Sequence, residues 1–190
     1  YGLSSLGVID QAYLQVLYGP NTMTNAADEF YVLSGNSSKL PWKTIWDSDG
    51  NDTIEAKSTS ENSAIIDLTP ALLTNNGGEI NLGGISKFLS RDSYGGFIVG
   101  ENVKIENAKT GSGDDQIIGN TLNNYIISSG GNNTIEPREG NDLILLNEGD
   151  DKIFLTSEEV WGEGYYAKNV TINSFDATST TIGLSGYTKL

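Results

Sequence analysis

The feature that most constrains this chain is a nine-residue repeat that runs without interruption from residue 110 to residue 154. Five consecutive units can be written: TGSGDDQII, GNTLNNYII, SSGGNNTIE, PREGNDLIL and LNEGDDKIF. The eighth residue of every unit is isoleucine, which composition alone does not explain. A strict short period is typical of a solenoid, in which each unit stacks on its neighbours. The eighth-position residues are Ile117, Ile126, Ile135, Ile144 and Ile153.

Each unit reads as six residues of turn followed by three residues of strand. In so short a strand the middle side chain points to one face and its neighbours to the other, so the isoleucines are predicted to point inward and stack. Two units then make one coil, with a strand on each of two faces. Turns one, three and five consequently lie along one edge of the coil, the first edge. Turns two and four lie along the opposite, second edge.

Most turns contain glycine and end in Asp or Asn at the sixth position, so they present carbonyl and carboxylate oxygens to the next turn. Crowded hard oxygen ligands suit Ca²⁺, which accepts irregular coordination by six to eight oxygens. The first edge is predicted to hold one ion between turns one and three and another between turns three and five. On the second edge, where Leu122 and Asn124 interrupt the pattern and only the PREGND turn is complete, calcium is predicted to be weak or absent. The ligand residues predicted in the repeats are Gly111, Gly113, Asp115, Gly131, Asn133, Gly140, Asp142, Gly149 and Asp151.

The outer faces of the two predicted sheets differ in character. One sheet is apolar on both sides and should be covered by other parts of the chain. Its outward residues are Tyr125, Ile127, Leu143 and Leu145. The other sheet is more polar outside, with Gln116, Thr134, Glu136 and Lys152.

Charge and composition exclude several classes of function. The formal net charge is -14, with 11 basic residues scattered among 25 acidic ones. Nucleic acids and anionic membrane surfaces both require clustered Lys and Arg, so neither is an expected partner. No apolar run approaches the roughly 18 residues of a membrane span. A divalent cation that neutralises clustered carboxylates would stabilise such a chain.

The chain contains no histidine and no cysteine, which removes most catalytic schemes. Zinc protease motifs, Ser-His-Asp and Cys-His arrangements, thiolate metal sites and disulfides are all excluded. Carboxylate pairs, Lys or Tyr bases and a hard-cation site remain. We therefore expect no catalytic residue and no enzymatic activity in this chain.

The segment before the repeats divides into one helix and a series of short strands. The stretch VIDQAYLQVLYGPN predicts a helix whose apolar stripe needs a partner, either a missing upstream part or the sheets that follow. Runs such as EFYVLS, WKTIWD, DTIEA, AIIDL, GGFIVG and NVKIE predict strands and an all-β fold. The expected division is a terminal helix in residues 1–20 and a single β domain in residues 21–190. That domain comprises a strand shell (21–107), the repeats (108–155) and closing strands (156–190). The apolar stripe consists of Ile9, Ala12, Tyr13, Val16 and Leu17.

The nonapeptides resemble the RTX repeat, and three ordered stretches narrow the resemblance to one family. LQVLYGPN, TIWDSDGNDTIEA and NVKIENAKTGSGDDQIIGN resemble the C-terminal half of the serralysins, secreted bacterial zinc endopeptidases of the metzincin group. The resemblance covers nearly the whole chain. It implies a right-handed parallel β-roll packed with an additional β-sandwich-like layer and preceded by one short helix.

The resemblance also implies two calcium sites outside the repeats. In the family, the loop after the helix shares an ion with the Trp-Asp loop, and a second ion lies beside the Gly-Asn-Asp turn. Ala27 stands where the family usually has glycine, and Lys104 where it usually has threonine. The positions that correspond here are Asn25, Ala27, Glu29, Asp47, Asp49, Gly50, Asp52 and Glu106.

The zinc-binding catalytic half of the family has no counterpart in this sequence, so zinc is expected only in that missing domain. The resemblance implies an extracellular, secreted domain that binds several calcium ions and acts in folding, stability and secretion. Its expected partners are calcium, an upstream protease domain of the same parent chain and a bacterial secretion apparatus.

Three alternatives remain open on the sequence alone. The first is a β-roll whose eroded repeats need no metal and which the isoleucines hold together. The second is an adhesin or polysaccharide-binding module, in which exposed aromatic residues stack on sugars. The third is a carboxylate-pair glycosidase, for which Glu158, Glu159 and Glu163 beside Trp161 offer the only acidic cluster outside the repeats and the two calcium loops. The aromatic residues considered are Trp42, Trp46, Trp161, Tyr165 and Tyr166.

Overall fold

A computed structural model describes residues 5–34, 41–57, 62–73, 80–90, 95–156, 169–174 and 181–185. These ranges contain one helix, α1 (Val8–Tyr18), and strands in two sheets. The strands before the repeats are β1 (Phe30–Ser34), β2 (Trp42–Ile45), β3 (Thr53–Lys57), β4 (Ala64–Asp67), β5 (Ile85–Phe88), β6 (Gly96–Val99) and β7 (Asn107–Lys109). The later strands are β8 (Gln116–Ile118), β9 (Tyr125–Ser128), β10 (Thr134–Glu136), β11 (Asn141–Leu146), β12 (Lys152–Thr156), β13 (Asn169–Ser174) and β14 (Thr181–Ser185).

The strands of the repeats alternate between the two sheets, as the nine-residue period predicts. Strands β8, β10 and β12 are parallel neighbours in an eight-stranded sheet, and β9 and β11 are parallel neighbours in a six-stranded sheet. Each strand pairs with the strand two units later, so that Ile117 lies beside Ile135 and Ile135 beside Ile153. All five repeat isoleucines are fully buried. The predicted inward stack of isoleucines is therefore confirmed.

The strands that precede the repeats extend the same two sheets. The six-stranded sheet has the order β1-β3-β7-β9-β11-β13 and is parallel throughout. The eight-stranded sheet has the order β14-β12-β10-β8-β4-β5-β6-β2, with antiparallel pairing of β5 to β4 and to β6. Among the described residues, the strand shell forms no separate layer of the kind that we predicted. It lengthens the stack because β3 and β7 offer the same inward pattern as the repeats.

One hydrophobic core lies between the two sheets. Ile54 and Ile126 of the six-stranded sheet and Ile66 and Ile117 of the eight-stranded sheet belong to a single buried cluster. On the outer face of the six-stranded sheet, Tyr125 is 36% exposed, so the described residues cover this face only in part. The other three apolar residues predicted there, Ile127, Leu143 and Leu145, are half-buried.

Two parts of the chain before the repeats differ from the prediction: one predicted strand does not form, and one strand was not predicted. The run NVKIE (residues 102–106) forms no strand; its first residue, Asn102, lies in a turn with φ of 61°, and strand pairing begins only at Asn107. Instead of a strand partner, Nδ2 of Asn120 donates a hydrogen bond to the carbonyl oxygen of Ile105 at 2.8 Å. Strand β5 was missed because its ISKF sequence follows a glycine-rich stretch and carries little β-branched character.

Helix α1 packs on the β domain through its polar side, so of the two partners expected for its apolar stripe, the described sheets are not the one that covers most of it. Gln15 Nε2 donates a hydrogen bond to the carbonyl oxygen of Glu101 at 2.9 Å, and Gln11 and Ala12 are buried beside it. The remaining stripe residues face away, with 52–65% of their surface exposed: Ile9, Tyr13, Val16 and Leu17. No helix in the described part of the chain has the length and apolar character needed to cross a bilayer.

Candidate metal centre

The residue before each parallel strand occupies the same level of the coil, so these residues form a column along each edge. On the second edge, backbone hydrogen bonds connect successive members through the strands that follow them. The second-edge column consists of Glu29, Asp52, Glu106 and Asn124, each directly before a strand, and of Asp142, the second residue of β11, which aligns with Asn124. Adjacent strands lie about 4.8 Å apart, so three carboxyl-bearing residues follow one another at that spacing. The fold thus brings together acidic residues from three distant parts of the chain.

Asp52 is the centre of this acidic group. Its Oδ1 accepts a hydrogen bond from the backbone N–H of Glu29 at 2.8 Å, and its own N–H donates to Oε2 of Glu106 at 2.9 Å. Its side chain is 1% exposed. Burial raises the pKa of Asp52 to about 7; the charges of Asp47, Glu106 and Glu29 add to the increase, and the hydrogen bond from Glu29 opposes it. The charged groups that act on Asp52 are thus all acidic.

The loop after the helix brings a backbone oxygen to the same place. A Cβ atom at Gly50 would lie 2.5 Å from the carbonyl oxygen of Ala27 and 3.0 Å from Oδ1 of Asp52. Gly50 also has φ of 127°, which a residue with a side chain rarely adopts. Glycine at this position therefore lets a carbonyl and a buried carboxylate approach each other.

Asp47 lies in the Trp-Asp loop and is bound from two sides. Tyr31 donates its hydroxyl to Oδ2 of Asp47, and the N–H of Asp49 donates to Oδ1 at 3.2 Å. Burial, followed by the bond to Asp47, raises the pKa of Tyr31, so the phenol remains a donor. Nδ2 of Asn25, whose φ is 51°, lies 3.4 Å from the same hydroxyl. The predicted loop residues thus meet around Tyr31, which the sequence did not single out.

The first-edge column continues through the repeats by hydrogen bonds from backbone to side chain. The N–H of Ala64 donates to Oδ1 of Asp115 at 2.7 Å, and the N–H of Asp115 donates to Oδ1 of Asn133 at 2.9 Å. The N–H of Asn133 donates to Oδ1 of Asp151 at 2.9 Å. Each sixth-position side chain therefore accepts a hydrogen bond from the backbone of the preceding turn on the same edge.

The fifth-position side chains hold the turns in the opposite direction. The N–H of Asn132 donates to Oδ1 of Asp114 at 2.7 Å, and the N–H of Asp150 donates to Oδ1 of Asn132 at 2.9 Å. On the second edge, the N–H of Asn141 donates to Oδ1 of Asn123 at 2.9 Å. These exposed residues were not predicted to have a role, yet each connects its turn to the following one.

Asp115 differs from the other members of the first-edge column. Its side chain is 4% exposed, and its Oδ2 is buried without a hydrogen bond of ordinary geometry in the described structure. Burial raises the pKa of Asp115, an effect that the N–H of Ala64 and the nearby Thr110 hydroxyl oppose. A buried carboxylate oxygen without a donor is costly, and a cation would satisfy it.

The glycines of the repeats lie directly against the backbone of the preceding turn. A Cβ atom at Gly149 would overlap the carbonyl of Gly131, and one at Gly131 would overlap the carbonyl of Gly113. On the second edge, a Cβ atom at Gly140 would overlap the carbonyl of Leu122 in the same way. The fourth-position glycine of each of these turns therefore lies directly against a backbone carbonyl of the preceding turn on its edge.

The chemistry of these donors fits a hard cation that binds oxygen. Within the described residues, no group of three or more carboxylates is arranged to hold a metal ion by itself. An ion would therefore depend on backbone carbonyls, such as those of Ala27 and the repeat glycines, for much of its coordination. Gly111 is half-buried in turn one.

The aromatic residues considered for sugar binding receive little support. Trp42 and Trp46 are half-buried. Trp161, Tyr165 and Tyr166 lie outside the described residues, as does the acidic cluster of Glu158, Glu159 and Glu163.

Sequence comparisons identify similar proteins. A family model described as "Peptidase M10 serralysin C terminal" matches residues 12–189. The metalloprotease AprA of Pseudomonas entomophila (strain L48) is 33% identical over 128 residues, which cover 62% of this chain and 23% of that protein. A serralysin of Proteus mirabilis is 32% identical over 126 residues, with 60% and 22% covered. Serralysin G of Dickeya chrysanthemi is 32% identical over 136 residues, with 66% and 26% covered. The chain spans about a quarter of the length of these relatives.

Proposed function

Because the chain belongs to the family of serralysin C-terminal domains, we propose that it is a non-catalytic, calcium-binding domain of an extracellular serralysin-like metalloprotease. It serves the calcium-driven folding, stability and secretion of that protein. The observation that carries this proposal is the buried Asp52 carboxylate between Glu29 and Glu106, with Asp47 acting on it and no positive charge among these groups. A cation at this position would remove the repulsion that otherwise opposes folding.

Three groups of residues are proposed to hold calcium. The first ion is shared by the two loops, the second lies beside the Gly-Asn-Asp turn, and the third lies at turn one of the repeats, where Oδ2 of Asp115 requires a positive partner. Calcium suits these groups better than magnesium does, because backbone carbonyls and carboxylates in irregular turns do not supply near-ideal octahedral geometry. The proposed ligands are Asn25, Ala27, Glu29, Asp47 and Asp49 with Asp52 for the first ion, Gly50, Asp52 and Glu106 for the second, and Gly111, Gly113 and Asp115 for the third.

The complete PREGND turn offers a fourth, weaker group on the second edge. Asp142 accepts the N–H of Asn124 through Oδ1 at 2.9 Å, and Gly140 lies against the carbonyl of Leu122. The strand order and the register of two units support a parallel β-roll, and its proposed hand is right-handed.

The proposed mechanism couples calcium binding to folding. Where calcium is scarce, the carboxylates of the second-edge column repel one another, and the chain remains loose enough for export. In millimolar external calcium, ions bind sites that exist only in the folded state, so the binding free energy stabilises the fold. Dissociation constants of roughly 10⁻⁴ to 10⁻³ M, as in other extracellular modules, suffice for this role.

The exposed side of α1 supports an upstream partner in the same parent chain. Ile9, Tyr13, Val16 and Leu17 form an apolar surface on the side of the helix that faces away from the β domain. An upstream protease domain is proposed to cover this surface, and any zinc belongs to that domain. The names and lengths of the relatives are consistent with this arrangement.

A calcium titration of two matched variants tests the proposal. Asp52→Asn removes one carboxylate from the acidic group, whereas Asp114→Asn removes one exposed carboxylate and keeps the oxygen that accepts the N–H of Asn132. Far-UV circular dichroism of the metal-free chain should show a gain of β structure near millimolar calcium, but not with magnesium. Asp52→Asn should shift that transition to higher calcium by about tenfold, as the loss of about 1.4 kcal/mol of binding predicts, and Asp114→Asn should not. A wild-type chain that is folded in chelator and does not respond to calcium would refute the proposed function.

A further inference from the structure

Two members of the columns, Asn133 and Asn124, carry an amide where the repeat pattern otherwise has a carboxylate. Both side chains are buried, with 1% and 2% of their surface exposed. An amide contributes a hydrogen-bond donor that a carboxylate lacks. What the two nitrogen atoms contact therefore decides whether these turns have room for a cation.

The nitrogen of Asn133 is surrounded by oxygen atoms that accept hydrogen bonds. Nδ2 donates to the carbonyl oxygens of Gly130 and Gly131 at 3.1 Å each, and to Oδ1 of Asp151 at 2.9 Å. Oδ1 on the other side accepts the N–H of Asp115 at 2.9 Å. These contacts fix the orientation of the amide, because the reverse orientation would bring oxygen against oxygen and N–H against N–H.

A comparison of turn three with turn one shows what the amide changes. Oδ1 of Asp115 accepts the N–H of Ala64 in the same way that Oδ1 of Asn133 accepts the N–H of Asp115. The second atom of Asp115 is an oxygen that lacks a hydrogen bond of ordinary geometry and has the Thr110 hydroxyl nearby, whereas the second atom of Asn133 is a nitrogen with three acceptors within reach. The same position in the coil is thus deficient in positive charge in turn one and satisfied in turn three.

The second edge repeats this arrangement with two amides. Nδ2 of Asn124 donates to the carbonyl oxygen of Glu106 at 3.1 Å and to Oδ1 of Asn120 at 3.0 Å. Nδ2 of Asn120 in turn donates to the carbonyl oxygens of Leu68 and Ile105, at 3.1 and 2.8 Å. Three carbonyl oxygens from two separate segments therefore accept hydrogen bonds from asparagine nitrogen atoms.

We propose that the amides of Asn133 and Asn124 replace calcium in their turns, by supplying hydrogen-bond donors to the oxygen atoms that would otherwise bind an ion. The inference rests on the proposed function and restricts calcium to the turns that keep a carboxylate, chiefly those of Asp115 and Asp52. It also replaces our expectation of an ion between turns three and five with Asn133 as a ligand. The coil then contains calcium-dependent turns and turns that fold without metal.

Replacing the amide with a carboxylate should convert a turn that folds without metal into a calcium-dependent turn. Asn133→Asp removes the amide N–H donors that three acceptors share and places a carboxylate next to Asp151. The matched control is Asn132→Asp, which adds the same charge one residue earlier, at an exposed side chain whose oxygen still accepts the N–H of Asp150. Both variants are compared with the wild-type chain by thermal unfolding, in chelator and in calcium, and by equilibrium dialysis with calcium.

In chelator, Asn133→Asp should lower the midpoint temperature by about 5–10 °C, against about 2 °C or less for Asn132→Asp. Calcium should raise the midpoint of Asn133→Asp by more than it raises that of the wild type, and this variant should bind one additional ion. Equal responses of the two variants would overturn the inference. So would a loss in chelator without a larger calcium response, since Asn133 would then supply only a hydrogen bond.

A second pair keeps the test decisive if Asn133→Asp does not fold in chelator. Asn124→Asp should gain a calcium response that Asn123→Asp lacks, because Oδ1 of Asn123 only accepts the N–H of Asn141 and a carboxylate does the same. Failure of both converted variants to fold at any calcium concentration would overturn the inference. A wild-type chain that does not respond to calcium would instead overturn the proposed function. The two outcomes distinguish a failure of the proposed function from a failure of the amide proposal.

Discussion

Substitution of Gly131 provides a sharp test of the close stacking of the turns. Gly131 has φ of 82°, and a Cβ atom there would overlap the carbonyl of Gly113. Its neighbour Gly130 lies in the same turn, but the nearest atom to a Cβ at that position is Cα of Ser112, at 3.7 Å. Gly130→Ala is therefore a control that adds the same methyl group without a collision or a left-handed backbone.

The expected cost of Gly131→Ala has two parts. Alanine in the left-handed region costs about 1–2 kcal/mol relative to glycine. The collision requires the turn to move although the strands on both sides keep their spacing, and overpacking of this kind adds about 1–3 kcal/mol. Together these give a loss of about 2–5 kcal/mol. Gly130→Ala should lie within about 1 kcal/mol of wild type, on the stabilising side if the unfolded chain loses entropy.

Urea unfolding monitored by far-UV circular dichroism measures both variants against the wild type, at saturating calcium and again in chelator. A loss for Gly131→Ala under both conditions is expected, because the contact is between backbone atoms of two turns. Equal stability of the two variants would refute the stacking argument. The turns would then be separated by more than one strand spacing in solution.

Further predictions follow from the core, the acidic group and the asparagine side chains. Ile135→Ala, in the middle of the isoleucine stack, should cost about 2–5 kcal/mol in urea unfolding, whereas Gln116→Ala on the exposed face should stay within about 0.5 kcal/mol. Because folding raises the pKa of Asp52 from 3.8 to about 7, the contribution of Asp52 to the stability of the metal-free fold should be fully present below pH 4 and be lost as the pH rises through 7. Urea midpoints at pH 5 and 8 in chelator test this sign, and saturating calcium should abolish the decline. Asn120→Ala leaves the carbonyls of Leu68 and Ile105 without their donor and should cost about 2–4 kcal/mol by the same method, whereas no change would show that water replaces the amide.

The repeat was predictable because a short period fixes several structural properties at once. Isoleucine at every eighth position determines which side of each strand is buried, and the period of nine determines which strands are neighbours. Both were confirmed by the pairing of Ile117 with Ile135. Of the strands before the repeats, β1, β3, β4 and β7 join the same two sheets in parallel, whereas β5 pairs antiparallel with β4 and β6. Irregular loops separate these strands, so their place in the two sheets was not visible from spacing.

The helix illustrates a limit of reading amphipathicity from one chain. The stripe that contains Ile9 and Val16 predicts a buried apolar face, but α1 is held by Gln15 through the carbonyl of Glu101. A sequence pattern indicates that a face needs a partner without indicating whether this chain provides it. Here the polar contact was decisive because the turn at Asn102 offers backbone and amide groups rather than an apolar surface.

The candidate site was predictable in its parts but not in its connections. Resemblance to a family pointed to Asp52 and Glu106, and the structure adds that both belong to one column with Asn124. A simple signal was available in the sequence, since each of these residues immediately precedes a strand. The opposite directions of the fifth- and sixth-position hydrogen bonds, in contrast, depend on rotamers that no spacing specifies.

The pairing of each strand with the one two units later also restricts how many units can be inserted or deleted. Removing 18 residues from the repeats takes out one full coil, so every remaining strand still meets a parallel neighbour of its own sheet. Removing nine residues instead transfers each later strand to the opposite sheet and brings the edge that contains Asp114 and Asn132 onto the one that contains Asn123 and Asn141. Lineages that lengthen or shorten such a chain should therefore do so in even numbers of units, and an odd change would have to be compensated elsewhere in the coil.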